Sequence, residues 1–270
     1  MRYSGSFRNI PGSNAMVWMI LWYVITFFFG ACSFSFLNVV IYRVPKGISF
    51  VKGRSFCPIC NHTLGGLDLI PVISYMGLRG RCRYCNTKFG FRDTLVEIFG
   101  GLAAVFLLWF YEWDFVKTIL VFLFYCVLTV VALIDADTME IPDGCHLVIA
   151  ALAVAAVFVF PGIGIVERLI GALCVSVPML LLALAIAGAF GGGDIKLMAA
   201  GGLFLGWKLT LISAALAVLI GGIYGMLLLV TKKANKKDQF AFGPFLCAGM
   251  AIGLLYGQQI IDWYLSFLIF

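Results

Sequence analysis

Two aspartates and two pairs of cysteines carry most of the chemistry this sequence offers. Asp135 closes the apolar run from Thr129 to Ile134, and Asp194 follows Gly191-Gly192-Gly193 and opens another apolar run. An ionised Asp within a membrane span costs roughly 2.5–3.5 kcal/mol even on the gentler insertion scale, so such a residue is a functional candidate by default. The glycines allow close backbone approach and unusual dihedrals, which suits a catalytic turn or a substrate cleft. Two carboxylates brought from separate helices to one depth can share a proton. One then activates water as a base while the other protonates the carbonyl oxygen, which is aspartyl proteolysis. From charge alone the competing reading is two span-end charges reaching for water. Asp137 and Glu140 read as solvated loop residues, and Asp143, after Pro142, reads as the N-cap of the next helix.

The chain has nine cysteines. Cys32, Cys126, Cys145, Cys174 and Cys247 stand singly in or beside apolar runs and read as small buried hydrophobes. Cys57-Pro58-Ile59-Cys60 and Cys82-Arg83-Tyr84-Cys85 are different. Two CxxC turns at this separation resemble a four-cysteine zinc knuckle, with four thiolates completing a tetrahedron. Such a zinc has no open coordination position, so it holds the fold and does no chemistry. A redox pair is the alternative reading. The two histidines, His62 and His146, form no HExxH, and no GxSxG elbow is present, which removes zinc metalloproteases and that type of serine hydrolase. His62 reads as a loop histidine beside the knuckle.

These residues must be positioned by helices in lipid. The chain is 63% hydrophobic and only 12% charged, where a soluble domain carries roughly 25% charged residues. A bilayer core needs about 20 apolar residues per helix. Apolar runs and their breaks predict an all-α polytopic membrane protein of about eight spans, at 16–42, 94–112, 115–134, 145–161, 166–189, 195–207, 209–230 and 241–268. The sixth is short and Gly-rich, so it is tilted, broken or fused to the seventh. Residues 1–15 read as a non-native leader ahead of a start at Met16. The chain then divides into a first span (16–42), a four-cysteine domain (43–93) and a multi-helix domain (94–270).

Orientation follows from the basic residues. Arg43, Lys46, Lys52, Arg54, Arg79, Arg81, Arg83, Lys88 and Arg92 crowd the polar stretch between spans one and two and place it in the cytoplasm. Alternation puts 135–144, 190–194 and 231–240 on that side, where Lys232, Lys233, Lys236 and Lys237 agree, and leaves Lys117, Arg168 and Lys208 near the opposite ends. Both termini then face outward. The net charge of +6 reports orientation, and no nucleic-acid partner is expected.

In this order the motifs resemble a family, the bacterial type IV prepilin peptidases, bifunctional leader peptidase/N-methyltransferases of the GxGD type. The resemblance runs through Phe36-Leu37-Asn38-Val39-Val40-Ile41-Tyr42-Arg43-Val44-Pro45, the two cysteine pairs, Asp68-Leu69-Ile70-Pro71-Val72-Ile73-Ser74-Tyr75, Leu133-Ile134-Asp135 with Ile141-Pro142-Asp143, Gly191-Gly192-Gly193-Asp194-Ile195-Lys196 and Phe242-Gly243-Pro244-Phe245. The stretch Gly30-Ala31-Cys32-Ser33-Phe34-Ser35 departs slightly from the family's Gly-Ser-Phe form.

The resemblance implies a multi-pass protein of the bacterial inner membrane that cuts type IV prepilin or pseudopilin precursors, in pilus or type II secretion systems, after a Gly at the cytoplasmic face. Asp135 and Asp194 would carry the cleavage, supported by Gly191, Gly193 and Lys196. Lys196 would be either an electrostatic neighbour of the substrate or a cytoplasmic anchor. The new N-terminal residue would be methylated from S-adenosylmethionine, with Gly80 at a position linked with methyl transfer. Asn38 and Glu97, polar residues inside apolar stretches, read equally as helix-to-helix hydrogen-bonding groups or as candidates for methyl transfer or substrate binding, and the resemblance favours Glu97 for the latter. No Gly-rich adenosylmethionine loop is legible. A proton-coupled transporter and a non-catalytic zinc-binding assembly subunit are the competing functions.

Overall fold

The computed structural model describes residues 13–57, 59–88, 90–186, 188–231 and 240–268. The leader (apart from Ser13–Ala15, which begin the first helix) and the lysine cluster at 232–237 lie outside the described residues. Among these residues the chain is helical, with only isolated bridges, Phe56 to Thr63 and Arg81 to Lys88, in place of strands. The helices are α1 (Ser13–Arg43), α2 (Ile73–Gly77), α3 (Phe91–Phe110), α4 (Phe115–Thr138), α5 (Asp143–Val159), α6 (Ile165–Cys174), α7 (Ser176–Ala185), α8 (Gly192–Leu205), α9 (Trp207–Val230) and α10 (Gly243–Leu268).

Six stretches are long and apolar enough to cross a membrane: Met16–Lys46, Phe91–Phe110, Phe115–Thr138, Ile165–Ala185, Trp207–Val230 and Gly243–Phe267. The chain is a multi-pass membrane protein. Two of the eight expected spans fall short. α5 has 17 residues and α8 has 14, about 25 and 21 Å at 1.5 Å per residue, against a hydrocarbon core of about 30 Å. α8 stops at Gly206, whose φ of 76° turns the chain into α9. The expected fifth span is divided at Val175 into α6 and α7. Pro178 lacks the N–H that would bond the Cys174 carbonyl, and its ring crowds that carbonyl.

The chain forms two compact units. In the first, comprising residues up to Val39 and Val51–Thr118, α1 and α3 approach closely where Gly30 faces Gly100 and Ala104. Asn38 Nδ2 donates to the Asp93 carbonyl at 3.0 Å. This helix-to-helix bond answers the need of a polar residue in lipid for a partner.

The second unit takes Val40–Phe50 and Ile119–Phe270. Here α8 is the central element, touching α5, α6, α7, α9 and α10. Its glycines allow this: Gly171 of α6 and Gly202 of α8 face each other's backbones, and a Cβ on either would collide. Phe124 of α4 stacks on Phe204 of α8 at 4.2 Å, and Tyr125 donates to the Ala251 carbonyl of α10 at 2.6 Å.

Arg168, expected only as an outward-side charge, is buried. It donates to the Leu203 and Phe204 carbonyls at the end of α8 and to the Ala156 and Phe160 carbonyls at the end of α5. One guanidinium thus supplies donors to the last carbonyls of α8, adds a second donor to the Ala156 and Phe160 carbonyls, which already accept the Phe160 and Ile163 N–H groups, and complements both helix dipoles. It also fixes α5 and α8 as parallel neighbours.

Candidate active site and cysteine centre

Asp135 lies in the last turn of α4 and Asp194 in the first turn of α8. Both are nearly sealed, at 5% and 9% exposure. The two carboxyl groups are near enough for the charge of one to be felt at the other. Each has one backbone partner. Asp135 Oδ2 accepts from the Gly243 N–H at 2.8 Å, at the N-terminus of α10, where N–H groups and the helix dipole favour an anion. A Cβ at Gly243 would fall on that carboxylate, so only glycine fits. Asp194 Oδ2 accepts from the Gly191 N–H at 3.3 Å and so caps its own helix. Cys247, one turn into α10, is buried within electrostatic reach of both.

The first turn of α5 packs beside that of α8. Gly193 faces the Ile141 side chain, with only 3.0 Å available for a Cβ. Lys196 Nζ meets Asp143 Oδ1 at 2.7 Å. Asp143 is therefore not the N-cap expected of it. Pro142 holds that position, and the Asp143 carboxylate turns outward to Lys196, whose ammonium holds it below the usual carboxylate range. His146 is buried close by, with neither ring nitrogen in a hydrogen bond among the described residues. Gly243, His146 and Cys247 were not singled out as site residues from the sequence. Gly243 was visible only within the Phe-Gly-Pro-Phe motif, and nothing in the spacing marks the other two.

The four cysteines form a separate centre in the first unit. The Sγ atoms of Cys57, Cys60, Cys82 and Cys85 all lie within 4.8 Å of one another. Each pair sits in the same turn. Asn61 N–H bonds the Cys57 carbonyl and Cys57 N–H the His62 carbonyl, while Asn86 and Cys82 repeat this with Cys82 and Thr87. Asn61 and Asn86 both take a left-handed φ, 56° and 59°, which Asn tolerates better than most residues.

Cys57 and Cys85 Sγ stand 3.8 Å apart. The edge of a tetrahedron with zinc–sulfur bonds of about 2.3 Å is about 3.8 Å, so the donor set fits such an ion. The thiols are unequal. Thr87 lowers Cys85 to about 6, and N–H groups of Cys60 and Ile59 lower Cys57. Cys60, although the His62 backbone lowers it, is pushed up to about 11 by burial and by Cys57 and Cys85. A bound cation would favour the thiolate form of all four. His62 stacks on Tyr84 and is not among the four ligating side chains. Asp68, which accepts from Arg83 at 2.7 Å and from the Gly65 N–H, ties the loop together. Arg83 holds its carboxyl below the usual range.

The other candidates lie in the same unit, each with a different partner. Glu97 of α3 accepts the Val72 N–H at 2.9 Å. Val72 has a φ of 63°, strained for a β-branched residue, so the carboxylate holds a turn that would otherwise relax. Gly80, also left-handed, lies against the Tyr75 ring, 2.7 Å from where its Cβ would be. Asn38 is spent on the helix contact described above.

Fold and site together define a helical membrane protein with two buried carboxyl groups at helix ends and a loop that gathers four cysteine side chains. Residues 28–111 match the bacterial Peptidase A24 N-terminal domain, and residues 122–226 match the type IV leader peptidase family. The chain is 30% identical over 244 residues to the prepilin leader peptidase/N-methyltransferase of Bacillus subtilis (strain 168), covering 90% of this chain and 97% of that one. It is 32% identical to the protein of that name from Aeromonas hydrophila, covering 91% and 94%. The chain belongs to the type IV leader peptidase family and is a membrane peptidase. No solved structure matches it.

Proposed function

We propose that the protein cleaves the leader from type IV prepilin or pseudopilin precursors after a Gly at the cytoplasmic membrane face, with Asp135 and Asp194 as the catalytic pair, and then N-methylates the new terminus. The observation that carries the reading is the burial of these two carboxyl groups within electrostatic reach of each other at the ends of α4 and α8. Two carboxyl groups at close quarters do not both ionise cheaply, so one retains a proton. The ionised partner takes a proton from water as it attacks the scissile carbonyl, and the protonated one gives its proton to the carbonyl oxygen. The Gly243 N–H holds Asp135 in place, and the Gly191 N–H holds Asp194. The leader must unwind at this point, since a helix hides its carbonyls in its own hydrogen bonds.

The names of the relatives supply the methyltransferase half of the proposal. S-adenosylmethionine is the methyl donor, taken as a co-substrate. Glu97 and Gly80 are assigned to that reaction through the Val72 turn and the Tyr75 ring that they hold. Cys57, Cys60, Cys82 and Cys85 would hold a structural zinc. Bacterial inner-membrane residence, with the cysteine loop and both aspartates on the cytoplasmic side and both termini outside, completes the proposal.

The test is incubation of the purified protein with a synthetic prepilin segment and S-adenosylmethionine in micelles, followed by mass spectrometry. The expected product lacks the leader and carries one added methyl. An uncut precursor, or cleavage undiminished in Asp135→Asn or Asp194→Asn, would sink the assignment.

A further inference from the structure

The helix carrying Asp194 is linked, at a place that the cleavage chemistry does not use, to the helix that follows Asp135 in the chain. From Asp135 the chain leaves α4, passes Ile141 and enters α5 at Asp143. There Asp143 Oδ1 binds Lys196 Nζ at 2.7 Å, and Lys196 is two residues beyond Asp194. The ion pair thus ties the start of α8, which carries Asp194, to the start of α5, which the chain enters eight residues after Asp135. Ile141 against Gly193 is a second contact across the same gap. His146 Nδ1 lies 3.5 Å from the same Asp143 oxygen.

We propose that Asp143 and Lys196 are positioning residues that set how Asp194 faces Asp135, and that Lys196 is not a substrate-binding charge. This rests on the reading of Asp135 and Asp194 as the catalytic pair. The Lys196 ammonium is engaged by Asp143. The far ends of the same two helices are held by Arg168, so the pair adjusts only the first turn of α8, where Asp194 sits. Its side chains are 74% and 59% exposed, and an exposed ion pair contributes little to stability. Its loss should leave the fold intact, while a small misplacement of a reacting group is costly in rate.

The experiment is steady-state cleavage of the prepilin segment by the full chain. Asp143→Asn and Lys196→Gln should each lower kcat about tenfold with KM unchanged. Asp143→Glu and Lys196→Arg should retain most activity. The exchanged double variant, Asp143→Lys with Lys196→Asp, should recover activity relative to either of its single changes. A rise in KM for Lys196→Gln with kcat intact, together with a silent Asp143→Asn, would make Lys196 a substrate contact and overturn the proposal. Full activity in both neutral variants would also overturn it, and these test the pair even if the exchanged variant does not fold. Asp135→Asn, measured in parallel, separates the two claims: if it still cleaves, the catalytic reading itself has failed.

Discussion

The parallel helices α5 and α8 are held at both ends, but by opposite means. At their C-termini a single buried guanidinium spans four carbonyls of the two helices. At their N-termini the bond is one exposed ion pair. A buried charge is costly unless its hydrogen bonds are made, so the Arg168 end cannot open without a large penalty. The Asp143–Lys196 end can shift at little cost. The rigid end fixes the frame, and the compliant end is the one that carries Asp194, with Asp135 within electrostatic reach.

That contrast can be broken or sharpened by mutation. The largest effect expected is on chemistry at the compliant end. Asp135→Asn or Asp194→Asn should each cut the cleavage rate by about a hundredfold to ten-thousandfold, with the unfolding midpoint in detergent unchanged. At the rigid end the order reverses. Arg168→Ala should cost about 3 kcal/mol of stability or more, because the Leu203 and Phe204 carbonyls lose their donor and a buried side chain leaves a void, and should appear as aggregated or protease-sensitive protein before any kinetic change is read. Gly243→Ala forces a Cβ onto the Asp135 carboxylate; the expected outcome is a loss of cleavage of about tenfold or more, read beside a near-native melting profile. The smallest effect is on stability at Lys196: Lys196→Gln should move the unfolding midpoint by less than about 2 °C. A drop as large as that of Arg168→Ala would erase the distinction between the two ends.

Much of this frame was legible in the sequence. Apolar runs announce helices because lipid cannot satisfy backbone groups, and the boundaries of α1, α3, α4, α9 and α10 follow those runs closely. The cysteine centre was legible because thiolate ligands come at short, characteristic spacings. The division at Val175 was not legible from the apolar run, because hydropathy registers only apolarity and Pro178 sits in an apolar run. The burial of Arg168 was not legible for a related reason: position along the chain places a charge near a span end, whereas its burial depends on which carbonyls the folded bundle brings around it. Asp143 was assigned to its own helix because capping is a local rule. Its actual partner, Lys196, comes from another helix altogether, and single-sequence reasoning has no access to that distance.

The brevity of α8 bears on the supply of a reactant. Peptide hydrolysis consumes a water molecule, and hydrocarbon holds almost none. A rod about 21 Å long cannot reach across a layer about 30 Å thick. Asp194 sits in the first turn of this rod, at an end rather than at its middle, so water bound for that carboxyl group would have less than the full hydrocarbon depth to cross.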